Sequence, residues 1–430
     1  MQNVSASEPP LFEPEWERQW LHKAIALWVV LAVAVSVKTI IEPSLHEVYT
    51  IFAAASRHWW ADAPLYTFYE GMDTYRYTPT FAIALSPLAM LPDRLGGILW
   101  NLLSIAVLVW AIRRFVREVL PGDWPPWREG LLLALVVVGS LRGIWSAQSN
   151  ALVIALALLA AVAIKGRRWW AASFLLAVPV FIKLWPMALV LLLVACWPRQ
   201  LIGRFSLVAA AGLLVPFFTR PAGVVCRQYT DYYFWLTGPL SQARCGGYRD
   251  AITIFEQARL DVGRESYLLV QLATAALVLA WCLWRRRLDS TGRLLVSILS
   301  MWAAWQLLFG PGTERLTYGL IAPMSTWALL VSFAEKRLRL LSAAAWLLLS
   351  LFSMGAFERA MEPIVPFAPA LLPAGVAVFI AWLVLHETAP ASVSLPQGPA
   401  AAPVPPPHLS RRKAAGRPGS GQTAASRRAE

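Results

Sequence analysis

Apolar stretches long enough to cross a bilayer recur almost from end to end of this chain, and that recurrence rules out most folds. They can be drawn at about 24–42, 95–112, 129–143, 150–164, 169–182, 184–197, 203–219, 266–284, 292–309, 316–333, 340–356 and 368–386. A spanning helix needs roughly 20 apolar residues, because each adds about 1.5 Å toward a hydrocarbon core about 30 Å thick. Only 15% of the residues are charged and 58% are hydrophobic, against roughly 25% charged in average soluble domains. Polar surface is too scarce to coat a water-soluble globule. The expected fold is an all-α polytopic membrane protein with about 12–13 transmembrane helices.

The formal net charge of +13 invites a nucleic-acid reading, but the placement of the charge opposes it. Basic residues fall in short clusters between apolar runs: Arg113, Arg114 and Arg117; Lys165, Arg167 and Arg168; Arg285, Arg286 and Arg287; Lys336, Arg337 and Arg339. Such clusters mark cytoplasmic loops rather than a basic binding face, and nucleic acid is excluded as a partner. With residues 1–23 and these clusters inside, the loop 43–77 lies outside. The stretch 78–92 holds only a short apolar run between prolines, so a re-entrant or broken half-helix is expected there. The N-terminal segment is polar and acidic where a secretory signal would be basic, so the first apolar run reads as a retained membrane helix.

Composition shifts abruptly after residue 386. The segment 387–430 is rich in Pro, Ala and Ser, contains no aromatic residue and cannot bury a core. It reads as a disordered basic tail on the cytoplasmic side, able to touch anionic membrane lipids. The chain thus divides into a cytoplasmic segment 1–23, a membrane domain 24–386 and the tail, with both termini expected in the cytoplasm. Of the four cysteines, Cys196 and Cys282 fall at or within apolar runs and read as packing residues. Cys226 and Cys245 lie in the long outer segment 220–265, where a disulfide and two free thiols are both open. No His/Cys spacing calls for zinc.

Chemistry in such a protein is sought where charge gathers at the rim. In the outer loop 43–77, Val48, Phe52, Ala55 and Trp59 recur at helical spacing, which predicts a helix lying at the membrane surface. Arg142, Gln148 and Asn150 frame the outer ends of two spans. Lys183 separates two apolar runs at the same face, and Glu314 and Arg315 sit in the turn 310–315. The positive-inside rule predicts few cations there, so Arg142, Lys183 and Arg315, with Arg57 of the first loop, point to a phosphate or another anionic headgroup. A bland reading stands beside this one: Lys183 can snorkel to the headgroups, and loop aromatics can belong to an interfacial belt.

The order of several short motifs adds a family. Val48-Tyr49, Ala53-Ala54, Pro64-Leu65-Tyr66, Tyr75-Arg76-Tyr77-Thr78-Pro79 and Pro92 come first. Gln148 with Asn150 at the start of a span, and Lys183 with Pro186 closing the next hairpin, follow. Together they resemble glycosyltransferase family 87 over about residues 24–335. The resemblance implies the C-type membrane glycosyltransferase fold and a polyprenyl-phosphate donor carrying a mannose-like hexose. It also implies a lipid or glycan acceptor and a bacterial inner membrane. Family members often carry an Asp three residues before the loop tyrosine. Here His46 stands at that position with Glu47 beside it, and either can accept a proton.

Sugar transfer from a phospholipid needs a base for the acceptor hydroxyl and cations for the departing phosphate. A single displacement inverts the anomeric centre. Glu47 or His46 is the expected base, with Lys183, Arg315, Arg142 and Arg57 at the phosphate. Tyr49, Tyr75, Tyr77, Gln148, Asn150 and Glu314 are expected around the substrate. No Gly-rich phosphate loop supports a nucleotide-sugar donor. No ligand spacing demands a metal, although outer-loop carboxylates can hold a divalent cation. A secondary transporter and a non-catalytic lipid-binding protein also fit a polar rim. Transporters bury ionisable residues near the midplane, whereas these apolar spans are nearly free of acidic residues, which favours the interfacial enzyme.

Overall fold

The computed structural model describes residues 15–42, 48–238, 248–260 and 262–389. Among these the chain is helical, with no strand longer than an isolated bridge. Six helices are individually long and apolar enough to cross a membrane: Glu15–Ile41 (α1), Asp93–Glu118 (α5), Pro198–Phe218 (α10 with a closing 3-10 turn), Arg264–Leu288 (α13), Thr291–Phe309 (α14) and Ala368–Thr388 (α18). A seventh crossing is made if Arg339–Leu351 (α16) and Gly355–Met361 (α17), bent by 102° at their break, count as one span. The all-α polytopic architecture is therefore the one the apolar runs dictate.

Fewer of those runs become full-length crossings than their number suggests. Asn150–Lys165 (α7), Trp169–Ile182 (α8) and Met187–Cys196 (α9) are apolar but shorter. Polar and proline-bearing residues at 146–149, 166–168 and 183–186 cut them. Of these short helices α7 is the one that protein covers: it is buried on nearly every face and packs against α5 and α8. A broken or shortened helix is tolerated at membrane depth when neighbouring helices cover its free backbone groups.

The stretch 78–92 forms two short helices, Pro79–Ala84 (α3) and Ser86–Ala89 (α4). Thr78 caps α3 by accepting from the Phe81 amide at 3.3 Å, and Pro79 follows at the first helical position, where its missing N–H costs nothing. Together α3 and α4 are too short to cross, as expected of a broken half-helix.

The predicted surface helix of the first outer loop is Val48–Trp60 (α2). Its spacing is explained by burial: Phe52, Ala55 and Trp59 are nearly inaccessible, on the face packed against α3, α4 and α5. Residues 220–237 lock onto this loop. Gln228, in Ala222–Thr237 (α11), accepts from the Leu65 amide at 3.2 Å and donates to the Ala63 carbonyl at 3.3 Å. Arg220 donates to the Trp59 carbonyl from two of its nitrogens, at 3.2 and 3.0 Å.

The remaining long helix, Pro126–Trp145 (α6), packs along α1. Cys226 is exposed; Cys245 lies outside the described residues, as do residues 1–14 and nearly all of the tail.

The start of α5 shows how tightly α2 is seated. Tyr49 donates to the Leu88 carbonyl at 2.9 Å, and a methyl on Gly96 would strike the Tyr49 hydroxyl and stand 2.6 Å from the Leu88 oxygen. Gly96→Ala should therefore destabilise the protein by about 1–3 kcal/mol through overpacking, read as a lower unfolding temperature in detergent. In a Tyr49→Phe background the loss should be partly relieved, because one of the two clashing oxygens is gone.

Candidate active site

The candidate site is assembled from breaks between helices. The α6–α7 turn supplies Gln148 and Asn150, and it is held in an unusual shape. Ala147 adopts φ 53°, a left-handed conformation that a residue with a Cβ rarely takes. The Trp100 indole fixes it by donating to the Ala147 carbonyl at 2.9 Å. Lys183 follows α8 in extended conformation, which turns its side chain out of the helical path. Its ammonium donates to the Asn150 amide oxygen at 2.8 Å and to Gln148 at 3.3 Å. It also lies over the Tyr77 ring, 5.8 Å from the centroid.

Asn150 carries the connection onward. Its amide nitrogen donates to the Leu316 carbonyl at 2.9 Å, inside the 3-10 turn Arg315–Leu320. Glu314 caps that turn in a reciprocal box with Thr317. Burial pulls the Lys183 ammonium from its ordinary 10.5 down to about 8; Glu314 opposes the shift and Arg76 adds to it. Lys183, Glu314 and Arg76 therefore share one electrostatic neighbourhood. Arg76 is ion-paired to Asp73 at 2.9 Å.

On the far side of Glu314 the cations accumulate. Arg249, almost fully buried, pairs with Glu358 at 2.5 Å, and Arg315 approaches the other oxygen of the same carboxylate at 3.4 Å. Glu358 belongs to α17 and is 2% exposed. Arg315 and Arg359 converge on Gly355, whose added Cβ would meet their guanidinium nitrogens at 3.2 and 3.4 Å. Burial pulls Arg315 below the ordinary arginine range; Glu358 opposes this, while Arg249, Arg359 and Arg142 add to it. Two guanidiniums thus share one buried carboxylate, with Arg359 and Arg142 in the electrostatic neighbourhood of Arg315, an arrangement that favours an incoming anion.

The expected residues divide on inspection. Lys183, Gln148, Asn150, Tyr77, Glu314, Arg315 and Arg142 are brought into one connected region. Tyr75 is buried, with its hydroxyl given to the Thr78 carbonyl at 2.8 Å, and packs in an aromatic cluster with Tyr66 and Tyr77. Tyr49 and Arg57 make scaffold contacts instead. Tyr49 holds the Leu88 carbonyl, and Arg57 pairs with Asp93 and donates to the Ala89 carbonyl at 3.0 Å. His46 and Glu47 lie outside the described residues. The chain that flanks them is tied to the end of α6: Lys38 donates to the Trp145 carbonyl at 3.4 Å, and the Val48 amide to Ser146 at 3.4 Å.

Sequence reading passed over Arg249, Glu358 and Arg359. The one signal available was an acidic residue set between apolar segments with an arginine beside it, in Phe357-Glu358-Arg359. Among the described residues no three His, Cys, Asp or Glu side chains gather into a metal-binding group.

The Lys183 region is also where the sequence matches known proteins. Residues 75–311 match glycosyltransferase family 87, more than half of the chain. This chain belongs to glycosyltransferase family 87. The family 87 match takes in the Tyr75–Pro79 motif, Gln148, Asn150 and Lys183, and it ends before Glu314 and the arginine group. The chain is similar as well to a protein of Mycobacterium tuberculosis (strain CDC 1551 / Oshkosh), a polyprenol-phosphate-mannose-dependent alpha-(1-2)-phosphatidylinositol pentamannoside mannosyltransferase. Identity is 27% over 266 residues, which is 59% of this chain and 58% of the relative. This family 87 chain thus spans well under two thirds of that relative's length.

The buried ammonium gives a direct test of the geometry. In competitive acylation read by mass spectrometry, Lys183 should titrate near pH 8, with its cation present below that pH and lost above it. Glu314→Gln should lower the midpoint further, because the carboxylate supports the charged form. A midpoint near the ordinary 10.5 would place the side chain in water.

Proposed function

We propose that this protein transfers a mannose-like hexose from a polyprenyl-phosphate donor to a hydroxyl of a lipid or glycan acceptor, at the outer face of a bacterial inner membrane. The observation that carries the reading is the juxtaposition of a half-buried, hydrogen-bonded Lys183 with the arginine group around Glu358 on either side of one short turn. The name of the mycobacterial relative supports the donor class. The sugar and the acceptor rest on the resemblance alone.

In the proposed reaction the acceptor oxygen attacks the anomeric carbon as the bond to the donor phosphate breaks. The acceptor's proton passes to Glu47 or His46, and polyprenyl phosphate leaves with the electron pair. One displacement inverts the anomeric centre. Negative charge grows on the departing phosphate, and Lys183, Arg315, Arg142 and Arg359 act as its counter-charges. Cations already positioned in a desolvated site need no reorganisation when that charge appears. Gln148 and Asn150 act by holding the Lys183 ammonium in place. Glu47 immediately precedes Val48, whose amide is bound at Ser146, and this supports a base working beside Gln148 and Asn150. We assign the outer-facing breaks to the outer side of the membrane and both termini to the cytoplasm, from the distribution of basic clusters.

The test is transfer of radiolabelled sugar from polyprenyl-phosphate donors by the purified protein in lipid. Lys183→Met should lower the rate by about 100-fold or more, as removal of a transition-state charge partner does, while Lys183→Arg should retain part of it. Glu47→Gln and His46→Ala decide the base: the variant that loses transfer names it, and full activity in both removes the pair from the mechanism. Loss of transfer on adding EDTA would assign a divalent ion to the outer-loop carboxylates. Absence of transfer with every donor would overturn the enzymatic reading.

A further inference from the structure

A second polar site lies at the other end of α1 and α6. A cavity of about 320 Å³ is lined by Arg18, Leu21 and His22 of α1, Arg117 of α5, and Trp124, Pro126 and Glu129 where the chain enters α6. α6 is 20 residues long, about 30 Å at the rise of an α-helix. Glu129 lies in its first turn and Arg142 in its last, about 20 Å apart along the axis, so the cavity and the candidate active site lie toward opposite ends of the helix. The same holds along α1, with Arg18 near its start and Lys38 near its end.

The cavity is built rather than incidental. Glu129 is 2% exposed and accepts from Arg113 at 2.7 Å and from Arg117 at 2.8 Å. A fully buried carboxylate neutralised twice over holds the Arg117 Nε, while half of that side chain stays exposed at the cavity wall. Directly beneath, a Cβ on Gly130 would stand 2.8 Å from the backbone of Trp20 and Leu21, so α1 and α6 meet in backbone contact there. Arg128 stacks on Trp124, its guanidinium carbon 4.3 Å from the ring centroid, and fixes that wall. Glu118, the next acid on α5, is already taken by Arg114. Glu15 and Glu17 stand in the first turn of α1, beside Arg18 in sequence.

The surroundings select a lipid over a soluble anion. Trp16 and Trp127 pair at 6.5 Å between centroids, and Lys23 lies 5.3 Å from the Trp20 centroid. Tryptophans with cations beside them are the usual furniture of the headgroup layer. From there α1 exposes Val29, Val30, Val33 and Val37, an apolar stripe at helical spacing along which acyl chains can lie. Basic pockets between membrane helices suit anionic headgroups, each nearby cation adding about 1 kcal/mol. We propose that this cavity binds the phosphodiester headgroup of an anionic phospholipid, in the leaflet opposite the candidate active site.

The test uses the full chain purified in detergent, with bound lipid counted by native mass spectrometry and unfolding followed by temperature. Phosphatidylglycerol should bind and raise the unfolding temperature; phosphatidylcholine and inorganic phosphate should do neither. Arg18→Gln with Arg117→Gln should weaken phosphatidylglycerol binding by about tenfold or more, the size expected for losing charge-assisted hydrogen bonds. Because Arg117 also supports Glu129, Arg18→Gln with His22→Ala serves as a second pair that leaves the buried carboxylate untouched, and it should weaken binding too. Arg142→Gln with Arg359→Gln, at the opposite face, should leave binding intact. Equal binding of phosphatidylcholine, equal protection by inorganic phosphate, or sensitivity to the Arg142 pair in place of the Arg18 pairs would each overturn the assignment.

Discussion

Asn150 hydrogen-bonds in two directions at once, and the organisation of the candidate site follows from that. Its carbonyl oxygen takes the Lys183 ammonium and its amide nitrogen takes the Leu316 carbonyl. One side chain thereby joins three helix breaks that are remote in sequence. Each break exposes backbone groups that a membrane interior cannot satisfy with water, so each must find a partner in the protein. Placing the breaks side by side lets them satisfy one another. It also gathers the polar side chains of three turns into one region of an otherwise apolar body.

Beside this hub stands the arginine group. Glu358 is deeply buried and pairs with Arg249, yet Arg315 shares the same carboxylate and Arg359 and Arg142 act on Arg315 from nearby. A buried ion pair contributes little to stability after desolvation, though losing one partner costs about 3–5 kcal/mol. Stability alone therefore does not account for a second guanidinium on the same carboxylate with two more near it. An anion supplied from outside does, and a phosphate offers oxygens in the geometry that arginine forks match. The fold thus keeps a charge deficit on the face where the family motif and the Lys183 hub meet.

The features that could be read in advance were local ones. Phe52, Ala55 and Trp59 announce α2 because burial on one helical face repeats at a fixed spacing. Thr78-Pro79 announces the start of α3 because capping is a short-range event. What could not be read was long-range pairing. Arg249 and Glu358 lie 109 residues apart, and neither has a neighbour in sequence that betrays the other. Tyr49 stands in a motif and Arg57 is a loop cation, but their partners Leu88 and Asp93 are scaffold, set by how α2 seats on α4 and α5. The number of full crossings was overdrawn because apolar length alone does not tell a lipid-facing helix from one wrapped by protein. α7, buried on nearly every face, is of the second kind.

α1 and α6 tie the two polar ends of the molecule to one rigid pair. They run alongside each other from the Gly130 contact at one face to the Lys38–Trp145 hydrogen bond at the other. Packed helices slide or rotate as units instead of deforming continuously. A ligand that shifted α1 against α6 at the Glu129 end would move Trp145 and Ser146, and Ser146 receives the first amide of α2. The seating of α2 therefore depends on the register of α1 against α6, two helices that carry almost no ionisable group between their ends. Rigidity of that kind serves a membrane enzyme well, because the geometry at one rim is then fixed by packing across the whole thickness of the body.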